Sequence, residues 1–292
     1  MKKRVALMVA LLVAMSACTS LTGGKTYRVD AVWLAGNQVY VVHDEEAGKE
    51  VWRRDGAKEV FVARGTDIPD ACGPVDFLFD AGSSQLGIGL ECSDGERLVA
   101  YTPGTGDYRT LFDVPSAGEV TIQPGGQGGY LSTGLNGCWA LATFGQTPPG
   151  ILSPAARFTC EQGGSAKAPH LLPNGDLLFI GTDAKPTQQP VRNEDRAWCV
   201  YLLTPGASVV RPVGPDLVGF PEMNVTPDGR TAIVSVWRKG SGSLVAVDLA
   251  TGDHRRLADS DDSVTSPAVS PQGDEVMYVD DLSKVETVRL AK

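Results

Sequence analysis

The chain writes one turn six times. "VTPDGRTAIVSVW" runs from Val225 and "VSPQGDEVMYVDD" from Val269; "LPNGDLLFI" at Leu172 and "QPGGQGGYLS" at Gln123 repeat the pattern, and "DAGSSQLGIGL" at Asp80 and "LAGNQVYVV" at Leu34 are worn copies. The residue leading into each turn is Ala35, Ala81, Pro124, Pro173, Pro227 and Pro271, spaced 43 to 54 residues apart. A period of that length marks a repeat architecture. The fifth copy shows the internal plan best: "FPEMNVTP", a turn, "TAIVSVW", "SLVAVDLATG" and "DHRRLA". Runs of five to eight residues rich in Val, Ile and Thr, bounded by Gly, Pro and Asp, are strands.

Six units of four antiparallel strands predict an all-β, six-bladed β-propeller, in which radial packing covers both faces of every small sheet. A β-sandwich, the usual alternative for a strand-rich chain, requires neither six copies nor a spare strand. The sixth unit ends one strand short, whereas "KTYRVD", Lys25 to Asp30, precedes the first unit without a sheet of its own. The N-terminal strand is therefore expected to pair into the last blade and close the ring, which removes an open edge.

Upstream of the repeats, Met-Lys-Lys-Arg, an apolar run from Val5 to Met15, and "MSAC" read as a secretory signal over residues 1–17. "MSAC" resembles a bacterial lipobox, which would make Cys18 the acylated first residue of the mature chain. Residues 18–25 are then a lipidated tether and 26–292 a single propeller domain. Without Lys2, Lys3 and Arg4, the 26 basic residues fall to 23 against 35 acidic ones, a mature charge of about −12. Nucleic acid is excluded as a partner by that sign.

"TPDGR" with "VAVDLATGDHRRLA", and "SPQGDEVMYVDD", resemble the repeats of TolB-like six-bladed propellers, closely over residues 165–290 and more loosely over 31–160. The resemblance implies a scaffold that binds a protein or peptide of the bacterial envelope; the lipid at Cys18, which is no part of that resemblance, would hold it to a membrane, in the periplasm or at the outer cell surface, and the chain is expected to be monomeric. The fold hosts many activities, so chemistry must be argued from the site.

An exported chain can form disulfides. Cys72 and Cys92 are symmetric about the turn of the second unit, and Cys138 and Cys160 about Pro149, so each pair is placed to meet across a hairpin. Cys199, inside "AWCVYLL", reads as a buried thiol. The three histidines stand in separate units and no Cys-x-x-Cys occurs, which leaves no zinc pattern. Nucleophile elbows, His-Glu-x-x-His and P-loops are also absent.

Five positions before the turn residue, the six units carry Asp30, Asp76, Glu119, Ala168, Glu222 and Ser266. Equivalent positions lie at one radius and height in a propeller. The four carboxylates are thus expected as a partial ring at one channel mouth, with His170 and Asn224 close by. No cofactor is expected. Asp30, Asp76, Glu119 and Glu222 could nevertheless hold a cation such as calcium through oxygen ligands, or receive a basic peptide. The plainer reading is that they solvate the strand starts. Unit four also inserts "DAKPTQQPVRNEDRA", whose Lys185, Gln188, Arg192 and Glu194 are candidate partner contacts on a long loop. The functional expectation is a non-catalytic binding scaffold. Its alternative is a small-ligand-binding, hydrolase or lyase propeller that uses a divalent cation at the ring.

Overall fold

The computed structural model describes residues 27–290 apart from 37, 46–47, 57, 83, 116, 125, 136–137, 146–157, 159–163, 183–196, 205–206, 208 and 239. These residues form six small antiparallel sheets in which sequence neighbours pair in order. The innermost strands are Tyr27–Leu34, Val75–Asp80, Val120–Ile122, Ser165–Leu171, Phe220–Val225 and Val264–Val269. Blades one, two, four and five have four strands each. Blades three and six have three among the described residues, and the stretch expected to complete blade three lies outside them.

Alternation along the strands explains the assembly. In Thr231–Arg238, the side chains of Ala232, Val234 and Val236 pack towards Ile180, Trp198 and Val200 of blade four. Ile233, one residue out of phase, packs towards Val264 and Val276 of blade six. Successive side chains of a strand point to opposite faces, so each blade offers one apolar face to each neighbour. Six buried clusters result, one per blade boundary, and the one between blades six and one joins Ala268, Met277 and Val279 to Ala31, Val39 and Val41.

The ring closes differently from the sequence expectation. Tyr27 to Asp30 do not complete blade six; they are the front of blade one's own inner strand, paired with Asp44, His43 and Val42. Lys25 and Thr26 lie outside the described residues. The second strand of blade one runs as far as Glu45, so its ladder continues beyond a bulge between Arg28 and Asp30 and takes up Tyr27 and Arg28. The seam is held instead by the apolar cluster and by arginines. Arg28 donates its backbone N–H to Leu282 O at 2.7 Å, and Arg54 Nη1 reaches Val285 O at 3.0 Å. The Arg28 guanidinium meets Glu59 at 2.8 Å.

Cys72 and Cys92 form the expected disulfide, with Cα atoms 5.1 Å apart. Cys72 lies in the loop that leads into the inner strand of blade two, rather than on a strand. Cys160 is outside the described residues, as is the side chain of Cys138. Cys199 is buried. Beside the disulfide, Gly73 lies so close to the neighbouring strand that a Cβ on it would stand 1.7 Å from Glu91 O. Gly73→Ala should therefore cost on the order of 1–3 kcal/mol or more, read as a lowered Tm in calorimetry with the disulfide intact. An unchanged Tm would mean that the loop is not pinned there.

Candidate functional site

All six ring positions line one central cavity of about 980 Å³, which extends to Ala35, Ala81, Pro124, Pro227 and Pro271 at the turn end. His170 and Asn224 line it too. The aligned carboxylates thus share one channel, but each already has a partner. Asp30 accepts the N–H of Ala31 at 2.7 Å through Oδ1 and that of Leu78, on blade two, at 2.6 Å through Oδ2. Glu119 Oε2 accepts from the Ser132 hydroxyl and from the Ala168 N–H on blade four, the latter at 3.4 Å. Glu222 Oε2 accepts the Ser266 N–H on blade six. Asp76 is paired with Lys49 Nζ at 2.8 Å.

His170 and Asn224 are likewise engaged: Nε2–H of His170 donates to Met223 O on blade five at 2.8 Å, and Asn224 Oδ1 accepts its neighbour Val225 N–H at 2.7 Å. Apart from Asn224, whose bond stays within its own strand, the side chains singled out in the sequence therefore fasten one blade to the next around the channel. Such use meets the requirement that buried polar groups be hydrogen-bonded.

Ala168 and Ser266, the two ring positions without an acid, have φ of 52° and 50° and each precedes a proline. A left-handed conformation is uncommon for residues with a Cβ. At both sites the ladder to the second strand skips a step, between Lys167 and His170 and between Thr265 and Ala268. The skipped residue turns its N–H away from its own sheet and towards the preceding blade's glutamate. "KAPH" and "TSPA" are the sequence trace of this geometry.

Three participants are invisible to the turn alignment. Lys49 comes from the third strand of blade one. Lys167 Nζ stands 4.0 Å from Glu119 Oε1 and 5.8 Å from the ring centres of both Trp198 and Phe220. Glu96, on blade two, accepts the N–H of Ala117 at 3.1 Å and so bridges to blade three. Lys185, Gln188, Arg192, Glu194 and Cys18 lie outside the described residues. Among the described residues, no three His, Cys, Asp or Glu side chains come together as a metal site, and no helix is long and apolar enough to cross a membrane.

No family model matches the chain, and no curated protein matches it in sequence. Solved structures do. TolB from Acinetobacter baumannii superposes with a TM-score of 0.53 at 14% identity, over 95% of this chain and 68% of that one. In fold the chain is a TolB-like six-bladed propeller. An oligogalacturonate lyase in complex with manganese gives 0.54 at 14% identity, over 91% and 78% of the two chains. A chain of the mitotic checkpoint complex gives 0.56 at 12%, over 90% and 87%. At such identities the TolB-like propeller is shown as a fold, with no activity attached.

Electrostatics set this TolB-like channel apart from a solvated rim. Burial, together with the charges of Glu222 and Asp76, pushes the Asp30 carboxyl up to about 7 against the pull of two N–H donors. Burial also raises Glu96 to about 7, and raises Glu222 with help from Glu119. His170 is pushed down by burial. A carboxyl whose folded value exceeds its unfolded value binds its proton more tightly when folded. The resulting stabilisation is complete below about pH 4 and is lost as pH rises through about 7. The Tm should fall by several degrees from pH 5 to pH 8, and the fall should be shallower in Asp30→Asn and in Glu96→Gln. Equal slopes in all three proteins would refute the assignment.

Proposed function

We propose that this chain is a lipid-anchored extracytoplasmic scaffold that binds a protein or peptide of the bacterial envelope without catalysing a reaction. One observation carries the reading: the polar side chains around the channel hold blade to blade. Asp30, Glu119 and Glu222 are hydrogen-bonded to the backbone of the following blade, and His170 to Met223 O. A general acid or base must be free to exchange a proton with a substrate held at hydrogen-bond distance. What remains is a rigid, acid-lined mouth on a disulfide-braced ring, a surface suited to recognition. The likeness in fold to TolB supports the same reading. The signal sequence and "MSAC" support export and acylation at Cys18.

The lyase likeness favours catalysis less, because oligogalacturonate is a polyanion and four carboxylates line this channel. The alternative, a divalent cation at the ring, predicts calcium stabilisation that disappears in Asp76→Asn or Glu222→Gln. The scaffold predicts a Tm indifferent to calcium in all three proteins.

In-cell crosslinking of the acylated chain should capture one dominant envelope protein. Capture should be lost when Lys185 to Glu194 is replaced by a short Gly-Ser loop. Absence of any captured protein from either form would overturn the scaffold reading.

A further inference from the structure

The ring carboxylates are unequally compensated. Asp76 has Lys49, and Glu119 has Lys167. Asp30 and Glu222, which flank Ser266 around the ring, form no ion pair among the described residues. Lys167 tempers the charge of Glu222 without pairing with it. Glu222 Oε2 is occupied by the Ser266 N–H, while Oε1 takes no hydrogen bond from the described residues.

A second observation marks the same sector. Ser235 is the cross-strand partner of Glu222, so both side chains stand on the face turned towards blade six. Its hydroxyl is fully buried, at 0% exposure, and has no hydrogen-bond partner. In blade three the equivalent serine, Ser132, donates to Glu119. Blade five thus keeps an unused hydroxyl in the blade interface behind Glu222, and Glu222, with its unused oxygen, lines the 980 Å³ cavity. A buried polar group without a partner is rare and calls for an explanation.

The geometry points to the Asp30–Ser266–Glu222 sector of the channel as a binding site for a primary ammonium group, a lysine side chain or a chain N-terminus of the partner. The inference rests on the scaffold reading and names the chemistry that its channel mouth recognises. An ammonium carries three N–H donors and one positive charge. It would bring to Asp30 and Glu222 the countercharge that Lys49 and Lys167 bring to the other two acids. A divalent ion fits less well, since calcium takes 6–8 oxygen ligands and no acidic trio is gathered here. The cavity falls within the range that encloses small ligands, roughly 300–1,000 Å³.

Charge dependence follows from the surroundings. Asp30 faces Glu222 and Asp76, and Glu222 faces Glu119 and Lys167. Acid protonates Asp30, whose carboxyl titrates near 7, and removes the attraction. Binding should therefore weaken as pH falls from 8 to 5.

The test is calorimetric titration of the full mature chain with three tripeptides: acetyl-Ala-Lys-Ala-amide, Ala-Ala-Ala-amide with a free N-terminus, and acetyl-Ala-Ala-Ala-amide. One or both of the first two should bind at pH 8, and which one binds identifies the source of the ammonium. The third should not bind. Glu222→Gln keeps an amide oxygen for the Ser266 N–H and should lose about tenfold or more in affinity, whereas Asp76→Asn should stay within about threefold. Should the Gln variant prove unstable, the wild-type affinity at pH 8 and pH 5 decides instead: a loss at pH 5 supports the site and an unchanged affinity overturns it. Binding of the uncharged peptide as tightly as the charged ones, an equal loss in Asp76→Asn, or no binding by either amine would also overturn the inference. If crosslinking still captures its loop-dependent partner while neither amine binds, the scaffold stands and only this site falls.

Discussion

Each blade boundary combines two interactions, an apolar cluster that supplies cohesion and a polar contact that sets the relative position of the two sheets, made at the channel wall everywhere but between blades two and three. Apolar packing is non-directional, and six wedge-shaped sheets held by it alone could slide along one another. Hydrogen bonds are directional, so one well-placed bond per boundary fixes the register that packing leaves loose. The bonds run from Asp30 to Leu78, Glu96 to Ala117, Glu119 to Ala168, His170 to Met223, Glu222 to Ser266 and, across the seam, from Ser266 Oγ to Val29 O. Removing any one leaves a backbone N–H or C=O at a blade boundary without that partner.

That arrangement has an electrostatic consequence. Carboxylates are strong acceptors, which suits them to backbone N–H groups that no sheet partner satisfies. Burial raises the proton affinity of Asp30 and of Glu222, and the neighbouring charges add to it, Glu222 and Asp76 acting on Asp30 and Glu119 on Glu222. Lys49 and Lys167 offset part of this charge. Lys167 does so from behind the ring, held between two aromatic rings rather than in solvent. A desolvated ammonium gains attraction from the faces of such rings.

The fold is legible in the sequence because turn chemistry and strand alternation are local: "TPDGR" and "SPQGD" show a turn without reference to anything else in the chain. The ring positions are legible because counting back from the turn is also local. Lys49 and Glu96 are not, since their partners lie on the adjacent blade, at sequence distances that the repeat period does not encode. The seam escapes the sequence for a related reason. "KTYRVD" has the composition of a strand wherever it goes, and its destination depends on how far the second strand of blade one extends past its turn. The exchange of acid for Ala-Pro and Ser-Pro in blades four and six does leave a trace, but its meaning requires knowing that the preceding blade reaches across.

That exchange shows the channel to be organised by pairs of blades. Acids on the inner strands of blades one, three and five each bind the inner-strand backbone of the next blade, and in blades two, four and six the ladder skips the ring residue itself. In blade five it runs unbroken through Glu222, in blade three it begins at Val120, just after Glu119, and in blade one it is bulged between Arg28 and Asp30. At Ala168 and Ser266 the bulge frees an N–H that its own sheet no longer uses, and a glutamate of the preceding blade accepts it, whereas Asp30 binds Leu78, which stays in its ladder opposite Ile88. The two features are halves of one contact. A glutamate in an odd blade thus stabilises the backbone of an even one, and the left-handed conformations at Ala168 and Ser266 are held by residues 49 and 44 positions away. Where the freed N–H belongs to Ser266, its blade also faces the sector with no lysine of its own, so this contact between blades and the channel's least compensated charge lie side by side.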